Sequence, residues 1–331
     1  MAINLVCYGV RDVETEYFDR LNKYNYKTTY VKDVLSIDNL HMTEGHEAVM
    51  LRGNCHASKE NIKQMADYGV KYLLTRTVGY NHIDMEAARD YGMKVARVPG
   101  YSPNAIAELA LTLAMMLLRN TAYTVHKTRK QDFTADAQMF SPEIRNCTVG
   151  IIGTGRIGLT AARLFKGLGA RVIAFDLYPT KEGTDVVEYL PMDELLAQSD
   201  IVSLHCPYIK DSNYYMVDDD FIAKMKKNAI LINTARGELQ DVEAVIRGLE
   251  SGKIGGFGTD VLEGEKEIFF KDLRDQKLED KNVEKLTRMF PKVIITPHIG
   301  SYTDEALVNM VEISYDNLNA FLTTGISGNQ L

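Results

Sequence analysis

Late in the chain, three short apolar runs each lead into ionisable side chains. Ile230-Leu231-Ile232-Asn233-Thr234-Ala235 leads into Arg236. Gly256-Phe257-Gly258-Thr259-Asp260-Val261 stops just short of Glu263 and Glu265, and Val293-Ile294-Ile295-Thr296-Pro297 leads into His298. These residue types suit one kind of chemistry. A guanidinium grips a carboxylate with a two-pronged hydrogen bond. An imidazole exchanges a proton with an alcohol or carbonyl oxygen. A carboxylate beside it orients the ring and favours its protonated form. Together they form a workable set for hydride transfer at an oxygen-bearing carbon.

Upstream, Gly153-Thr154-Gly155-Arg156-Ile157-Gly158 follows the run Thr-Val-Gly-Ile-Ile and opens a helical stretch. In this spacing the first glycine makes a tight turn. The second lets backbone approach a pyrophosphate, and the third lets helix pack on strand. The helix N-terminus offers free N–H groups and a positive dipole end to the phosphates. Asp176 lies 18 positions after Gly158, at the end of the next apolar run, close to the roughly 20 the motif expects. A carboxylate there bonds a ribose 2′-OH and repels a 2′-phosphate, which predicts NAD rather than NADP. A similar turn could seat S-adenosylmethionine, but that would leave the Arg, carboxylate and His unexplained.

These groups need a scaffold that brings strand ends together. Ile3–Val10, Glu47–Leu51, Lys71–Arg76 and Met93–Val98 read as strands, with helices at Asn61–Tyr68 and Met85–Tyr91. The alternation of strand and helix implies parallel pairing with helices on both faces. Pro99-Gly100-Tyr101-Ser102-Pro103 breaks the rhythm, and one long helix is expected from Asn104, as its cap, to about Lys130. Six more strands follow: Cys147–Ile152, Arg171–Asp176, Ile201–His205, Ala229–Thr234, Phe257–Val261 and Val293–Thr296. That is the rhythm of a doubly wound dinucleotide fold, in which ligands bind outside the C-terminal strand ends. The charged segment Leu262–Phe290 is long for a loop and points to small helices or function.

Composition removes several classes. With 45% hydrophobic and 25% charged residues, the 331-residue chain can build sizeable cores, in two or three domains. A net charge of −7 disfavours nucleic acid and anionic membrane as partners. The longest apolar candidate, Ala105–Leu118, contains Glu108 and is too short to span a bilayer. The start, Met-Ala-Ile-Asn-Leu-Val, lacks the basic region of a leader. Cys7, Cys55, Cys147 and Cys206 are scattered, which argues against disulfides or zinc and for a cytoplasmic protein. His41, His46, His56 and His126 lack ligand spacing, so no metal is expected; His82 has no evident role.

The chain resembles the D-2-hydroxyacid dehydrogenase family. The resemblance rests on Tyr-Ser-Pro-Asn-Ala-Ile-Ala-Glu (101–108), the glycine turn (153–158), His-Cys-Pro (205–207), Asn-Thr-Ala-Arg-Gly-Glu-Leu (233–239), Gly-Lys-Ile-Gly-Gly-Phe-Gly-Thr-Asp-Val-Leu-Glu-Gly-Glu (252–265) and Thr-Pro-His (296–298). It implies an α/β architecture of two doubly wound parallel-sheet domains. A flavodoxin-like substrate domain would be formed by 1–100 plus 300–331, and a Rossmann NAD domain by 101–299. The active site would lie in a cleft that closes on substrate. The resemblance places the catalytic set on Arg236, Glu265 and His298, choosing Glu265 over Glu263. It implies that Gly153–Gly158, Asp176, His205, Cys206, Pro207, Thr234, Ala235 and Asp260 hold NAD. Val78 and Gly79 would hold the substrate carboxylate through their N–H groups, and Tyr101 and Tyr302 would line the pocket. Homodimers built through the NAD domains are the family's habit, which would put the helix after residue 104 at the contact.

Within the family the Glu-Gly-Glu run resembles the D-lactate and D-2-hydroxyisocaproate branch, closest to members acting on (R)-2-hydroxyglutarate. Arg52 ends the apolar strand Ala-Val-Met-Leu and should face the cleft. A second cation there suits a distal carboxylate, so 2-oxoglutarate is the expected substrate. D-lactate, D-2-hydroxyisocaproate and aryl-lactate are the alternatives. Because some corepressors resemble the same family, an NAD-sensing binding protein is the non-enzymatic alternative.

Overall fold

The computed structural model describes residues 3–331; the first two residues of the stretch read against a leader lie outside it. The chain divides into two compact units. One is the chain up to Ser102 together with Tyr302–Leu331, and the other is Pro103–Ser301.

In the first unit, β1 (Asn4–Tyr8), β2 (Lys27–Val31), β3 (Ala48–Leu51), β4 (Tyr72–Thr75) and β5 (Lys94–Arg97) form one parallel sheet in the order β2-β1-β3-β4-β5. This is the flavodoxin-like order. The central strand β3 is buried throughout, as parallel strands covered on both faces must be. β2, not foreseen from the sequence, is an edge strand with only Val31 buried, so Lys-Thr-Thr-Tyr-Val carries no apolar run to betray it. Helix α1 (Asp12–Leu21) follows β1. Helices α2 (Lys59–Asp67) and α3 (Met85–Asp90) are capped by Ser58 and Asp84, whose side chains accept first-turn N–H groups.

The second unit opens with α4 (Pro103–Leu118) and α5 (Thr121–Thr128), which correct the expectation of one long helix. Asn120 adopts a left-handed φ of 49°, and the two axes are bent by 66°. Nor is Asn104 the cap, because the helix already begins at Pro103, whose fixed φ suits a first position. No single helix among the described residues is long and apolar enough to cross a membrane. Seven parallel strands follow: β6 (Thr148–Ile152), β7 (Arg171–Phe175), β8 (Glu188–Tyr189), β9 (Ile201–Leu204), β10 (Ala229–Asn233), β11 (Ile254–Thr259) and β12 (Val293–Ile295). Their order, β12-β11-β10-β9-β6-β7-β8, is the Rossmann order extended by one strand. Helices α6 (Arg156–Gly167), α7 (Lys181–Val186), α8 (Met192–Gln198), α9 (Asp219–Lys224) and α10 (Val242–Glu250) lie between strands. The charged insertion contributes α11 (Lys281–Arg288). α4 lies on β10 and β11, where Gly256 and Gly258 leave room: a Cβ on either would stand 3.1 Å from Leu117 or Leu113.

The chain then returns to the first unit as α12 (Asp304–Thr324). Val311, Tyr315, Leu318 and Phe321 of this helix are buried against Leu5, Cys7, Met50 and Leu74. Each sheet thus has an apolar core on both faces.

Candidate active site

In the second unit, the order in which successive strands are added reverses between β6 and β9, and the glycine turn sits at this switch point. Gly153 has φ 94°, and a Cβ there would meet the Cys206 nitrogen at 2.6 Å. A Cβ on Gly158 would meet the Gly153 oxygen at 1.9 Å. These two glycines are therefore required by packing alone. Gly155 differs, because nothing lies within 4 Å of where its Cβ would be. It is the N-cap of α6 and supplies no side-chain cap, so the first-turn N–H groups face an open cradle. Asp176 braces the turn. Its carboxylate accepts from Thr154 N at 2.6 Å, Thr154 Oγ1 at 2.9 Å and Tyr178 N at 2.8 Å. Burial pushes this carboxyl up, but the donors outweigh it and hold it below the usual carboxylate range.

Beyond β9, His205 is driven down to about 4 by burial. Its Nε2 pairs with Ser203 Oγ, while its Nδ1 is buried with no partner. Thr234 Oγ1, after β10, is likewise buried and unpaired. A dinucleotide fits these residues: there is a cradle at a helix N-terminus, a carboxylate at the end of the next strand beside it and unpaired polar atoms at neighbouring strand ends.

Arg236 is exposed at the end of β10, and its Nη1 donates to the Ala235 carbonyl. The turn before it is shaped by the fully buried Asn233, which donates to the Arg236 carbonyl and to Gln240 and accepts from Ala235 N. Gly237 lies so close to the β11 loop that a Cβ would be 2.1 Å from Leu262 C. That loop ends on Glu265. One oxygen of Glu265 accepts from Leu262 N at 3.0 Å, and the other contacts His298 Nδ1. Glu263 is turned elsewhere, taking hydrogen bonds from Tyr214 and Tyr215. His298 follows β12 in a left-handed conformation, φ 53°, uncommon for a residue other than glycine.

Asp260 holds His298 there. It is 2% exposed and accepts from Thr296 Oγ1, Ile299 N and Gly300 N at 2.6, 2.8 and 2.8 Å. Burial raises its pKa, against these bonds and the attraction of His298. The bracing by Asn233, Gln240 and Asp260 was missed from the sequence. Asn233 and Asp260 stand in recognisable motifs, but nothing in their types reveals which loops they tie together.

The first unit carries the remaining predicted residues. Arg52 leaves β3 in a turn whose N–H is accepted by Cys55 Sγ. The guanidinium groups of Arg52 and Arg11 both donate to the phenol oxygen of Tyr302. Arg76 is buried nearby, donating to the carbonyls of Tyr8 and Gly9. Glu14 lies 3.8 Å from Arg11 and 3.9 Å from Arg76. Burial pulls the Arg52 guanidinium below its usual range, and Arg11 and Arg76 push the same way, against Tyr302 and Glu14. Arg11 was not foreseen, because only the fold brings the first and third strand ends together. Val78 is exposed, and Gly79 and Tyr101 are half-buried.

Residues 111–300 match the family described as "D-isomer specific 2-hydroxyacid dehydrogenase, NAD binding domain". The chain belongs to this family. An aromatic 2-oxoacid reductase of Clostridium sporogenes is 38% identical over 330 residues, covering 99% of both chains. A D-lactate dehydrogenase of Lactiplantibacillus plantarum is 40% identical over 332 residues, again covering 99% of both. The structure of D-lactate dehydrogenase with NAD+ from Lactobacillus jensenii superposes with a TM-score of 0.86 at 35% identity, covering 98% of each chain. As a D-2-hydroxyacid dehydrogenase, the protein is an NAD-dependent oxidoreductase.

Proposed function

We propose that this dehydrogenase interconverts 2-oxoglutarate and (R)-2-hydroxyglutarate, with Arg236, Glu265 and His298 as its catalytic residues. The observation that carries the chemistry is the contact between Glu265 and His298 Nδ1, at the end of the strand two places from the one leading to Arg236. With Nδ1 committed to the carboxylate, Nε2 is the nitrogen left to give a proton to the carbonyl oxygen or take it back. Glu265 fixes the orientation of the ring for that transfer. Arg236 holds the carboxylate next to the reacting carbon and polarises the carbonyl. The N–H groups of Val78 and Gly79 take the same carboxylate, and Tyr101 and Tyr302 line the substrate pocket. NAD supplies or accepts the hydride. The turn 153–158, Asp176, His205–Pro207, Thr234, Ala235 and Asp260 are the residues proposed to hold it.

The preference for a dicarboxylate rests on Arg52 and Arg11 converging on one phenol beside the buried Arg76. Glu14 already offsets Arg11 and Arg76, at 3.8 and 3.9 Å. A distal carboxylate would bring a second anion to Arg52 and Arg11 in charge-assisted hydrogen bonds, with Tyr302 giving way. The second reading is a monoacid such as D-lactate, D-2-hydroxyisocaproate or an aryl-lactate, favoured by the names of the relatives. Rates with 2-oxoglutarate and 2-oxoisocaproate in wild type and Arg52→Met decide between them. The dicarboxylate reading requires the variant to lose about 10–100-fold in kcat/KM with 2-oxoglutarate alone, the worth of one charged hydrogen-bond pair. A wild type that prefers the monoacid overturns it.

A homodimer through the second unit is part of the same proposal. Phe133 and Phe140, 79% and 84% exposed on the stretch after α5, are the apolar groups such a contact would cover. Light scattering on the purified chain tests it, and a monomer at micromolar concentration refutes it.

A further inference from the structure

The loop after β4 has an ordered root. Each carbonyl from Thr77 to Gly79 is held by a donor. Thr77 O accepts from Val98 N at 3.2 Å, Val78 O from Arg97 Nη1 at 3.0 Å, and Gly79 O from Thr77 Oγ1 at 2.7 Å. In a trans peptide the N–H points opposite to the carbonyl of the same unit. Anchoring these carbonyls therefore aims the N–H groups of Val78, Gly79 and Tyr80 away from their anchors. Among the described residues, none of the three donates to a protein group. Successive N–H groups of this kind make a concavity for an anion.

The third anchor leads into the core. Thr77 Oγ1 lies 2.7 Å from Thr75 Oγ1, which lies 3.0 Å from His82 Nε2. Thr75 is fully buried and His82 nearly so. Each hydroxyl has one hydrogen to give. The Thr77 hydrogen is spent on the Gly79 carbonyl, so Thr77 must accept from Thr75. The Thr75 hydrogen is then spent as well, so Thr75 must accept from His82. The chain runs one way, and His82 must carry its hydrogen on Nε2.

We infer that His82 is a positioning residue, which aims the carboxylate-binding amides of residues 78–80 through Thr75 and Thr77 without touching the substrate. The inference rests on the proposal that a 2-oxo acid carboxylate sits on this loop. Loosening the chain weakens carboxylate binding equally in ground and transition states, so KM rises and kcat holds.

The test uses the full-length enzyme, its 2-oxo acid and an unreactive oxalyl amide: N-oxalylglycine for a dicarboxylate enzyme, oxamate for a monoacid one. Thr77→Val and His82→Leu should each raise KM and the Kd of the amide about ten-fold, with kcat and NADH affinity held within about two-fold. His82→Gln, whose amide nitrogen can donate at a similar reach, should stay near wild type. Unchanged KM in Thr77→Val overturns the inference. So does a parallel fall in kcat and NADH affinity, which marks a merely structural role. Nitrogen-15 spectra of the wild type give a check that needs no variant, since a bare Nε2 on His82 breaks the chain. If the wild type reduces no 2-oxo acid at all, the functional reading falls and this inference falls with it; a wild type that works beside an indifferent Thr77→Val refutes the inference alone.

Discussion

Gly155→Ala separates cofactor binding from folding. Gly155 has φ −66°, which alanine adopts freely, and no atom lies within 4 Å of its missing Cβ. Alanine caps a helix less well than glycine, by about 0.5–1 kcal/mol. It also restricts the unfolded chain, a gain of about 0.4–1 kcal/mol. The two nearly cancel, so Tm should move by no more than about 3 °C. For the pyrophosphate the methyl is costly. It stands where phosphate oxygens must approach the first N–H groups of α6, and each charge-assisted hydrogen bond is worth about 1.5–3 kcal/mol. Losing one, about 1.5–3 kcal/mol, weakens NADH binding roughly 10–150-fold. The chain has no Trp, so the titration follows the cofactor's own fluorescence, alongside a thermal melt. Gly158→Ala is the contrast, because its Cβ would strike backbone at 1.9 Å and Tm itself should fall. An NADH Kd within about three-fold of wild type in Gly155→Ala, or a melt as damaged as that of Gly158→Ala, would refute the division of roles.

Further outcomes follow from the same geometry. Glu265→Gln should lower kcat for 2-oxo acid reduction at least about ten-fold with NADH affinity held, since His298 Nδ1 loses the carboxylate that fixes its ring; an unchanged kcat would reassign the proton-transfer pair. Asp176→Ala should narrow the preference for NADH over NADPH in a kcat/KM comparison. It should also cost some stability, because the same carboxylate braces Thr154; undiminished NADH selectivity contradicts the ribose argument. His205 is held down to about 4 in the folded protein, against about 6.5 unfolded. Between those values the unfolded chain binds a proton that the folded one does not, so stability falls as pH drops from about 6.5 to about 4, by at most about 3 kcal/mol. Urea titrations at several pH values measure the slope, which should flatten in His205→Asn.

What could be read from the sequence was local. The glycine turn, with Asp176 beyond it, carries its chemistry in spacing. Buried parallel strands such as Ala-Ile-Leu-Ile-Asn announce themselves by unbroken apolar runs. What could not be read depends on partners distant in the chain. β2 is half-exposed and polar, and β8 is only two residues long, so neither leaves an apolar run. The break at Asn120 is a single left-handed residue inside an otherwise helical stretch. Composition alone left Glu263 and Glu265 equivalent; two tyrosines on a separate loop take one and His298 meets the other. The meeting of Arg11, Arg52 and Tyr302 joins three distant segments and leaves no signal in any of them.

The return of α12 to the first unit sets an order on synthesis. Domains generally fold as units while the chain emerges, and Pro103–Ser301 is continuous, so the ribosome delivers everything the nucleotide-binding sheet needs in one stretch. The flavodoxin-like sheet is started earlier yet completed later. Leu5, Cys7, Met50 and Leu74 wait for Val311, Tyr315, Leu318 and Phe321. Through the translation of the whole second unit, the part of that sheet face not covered by Phe18 of α1 stays open and is the nascent chain's point of exposure to chaperones and to aggregation.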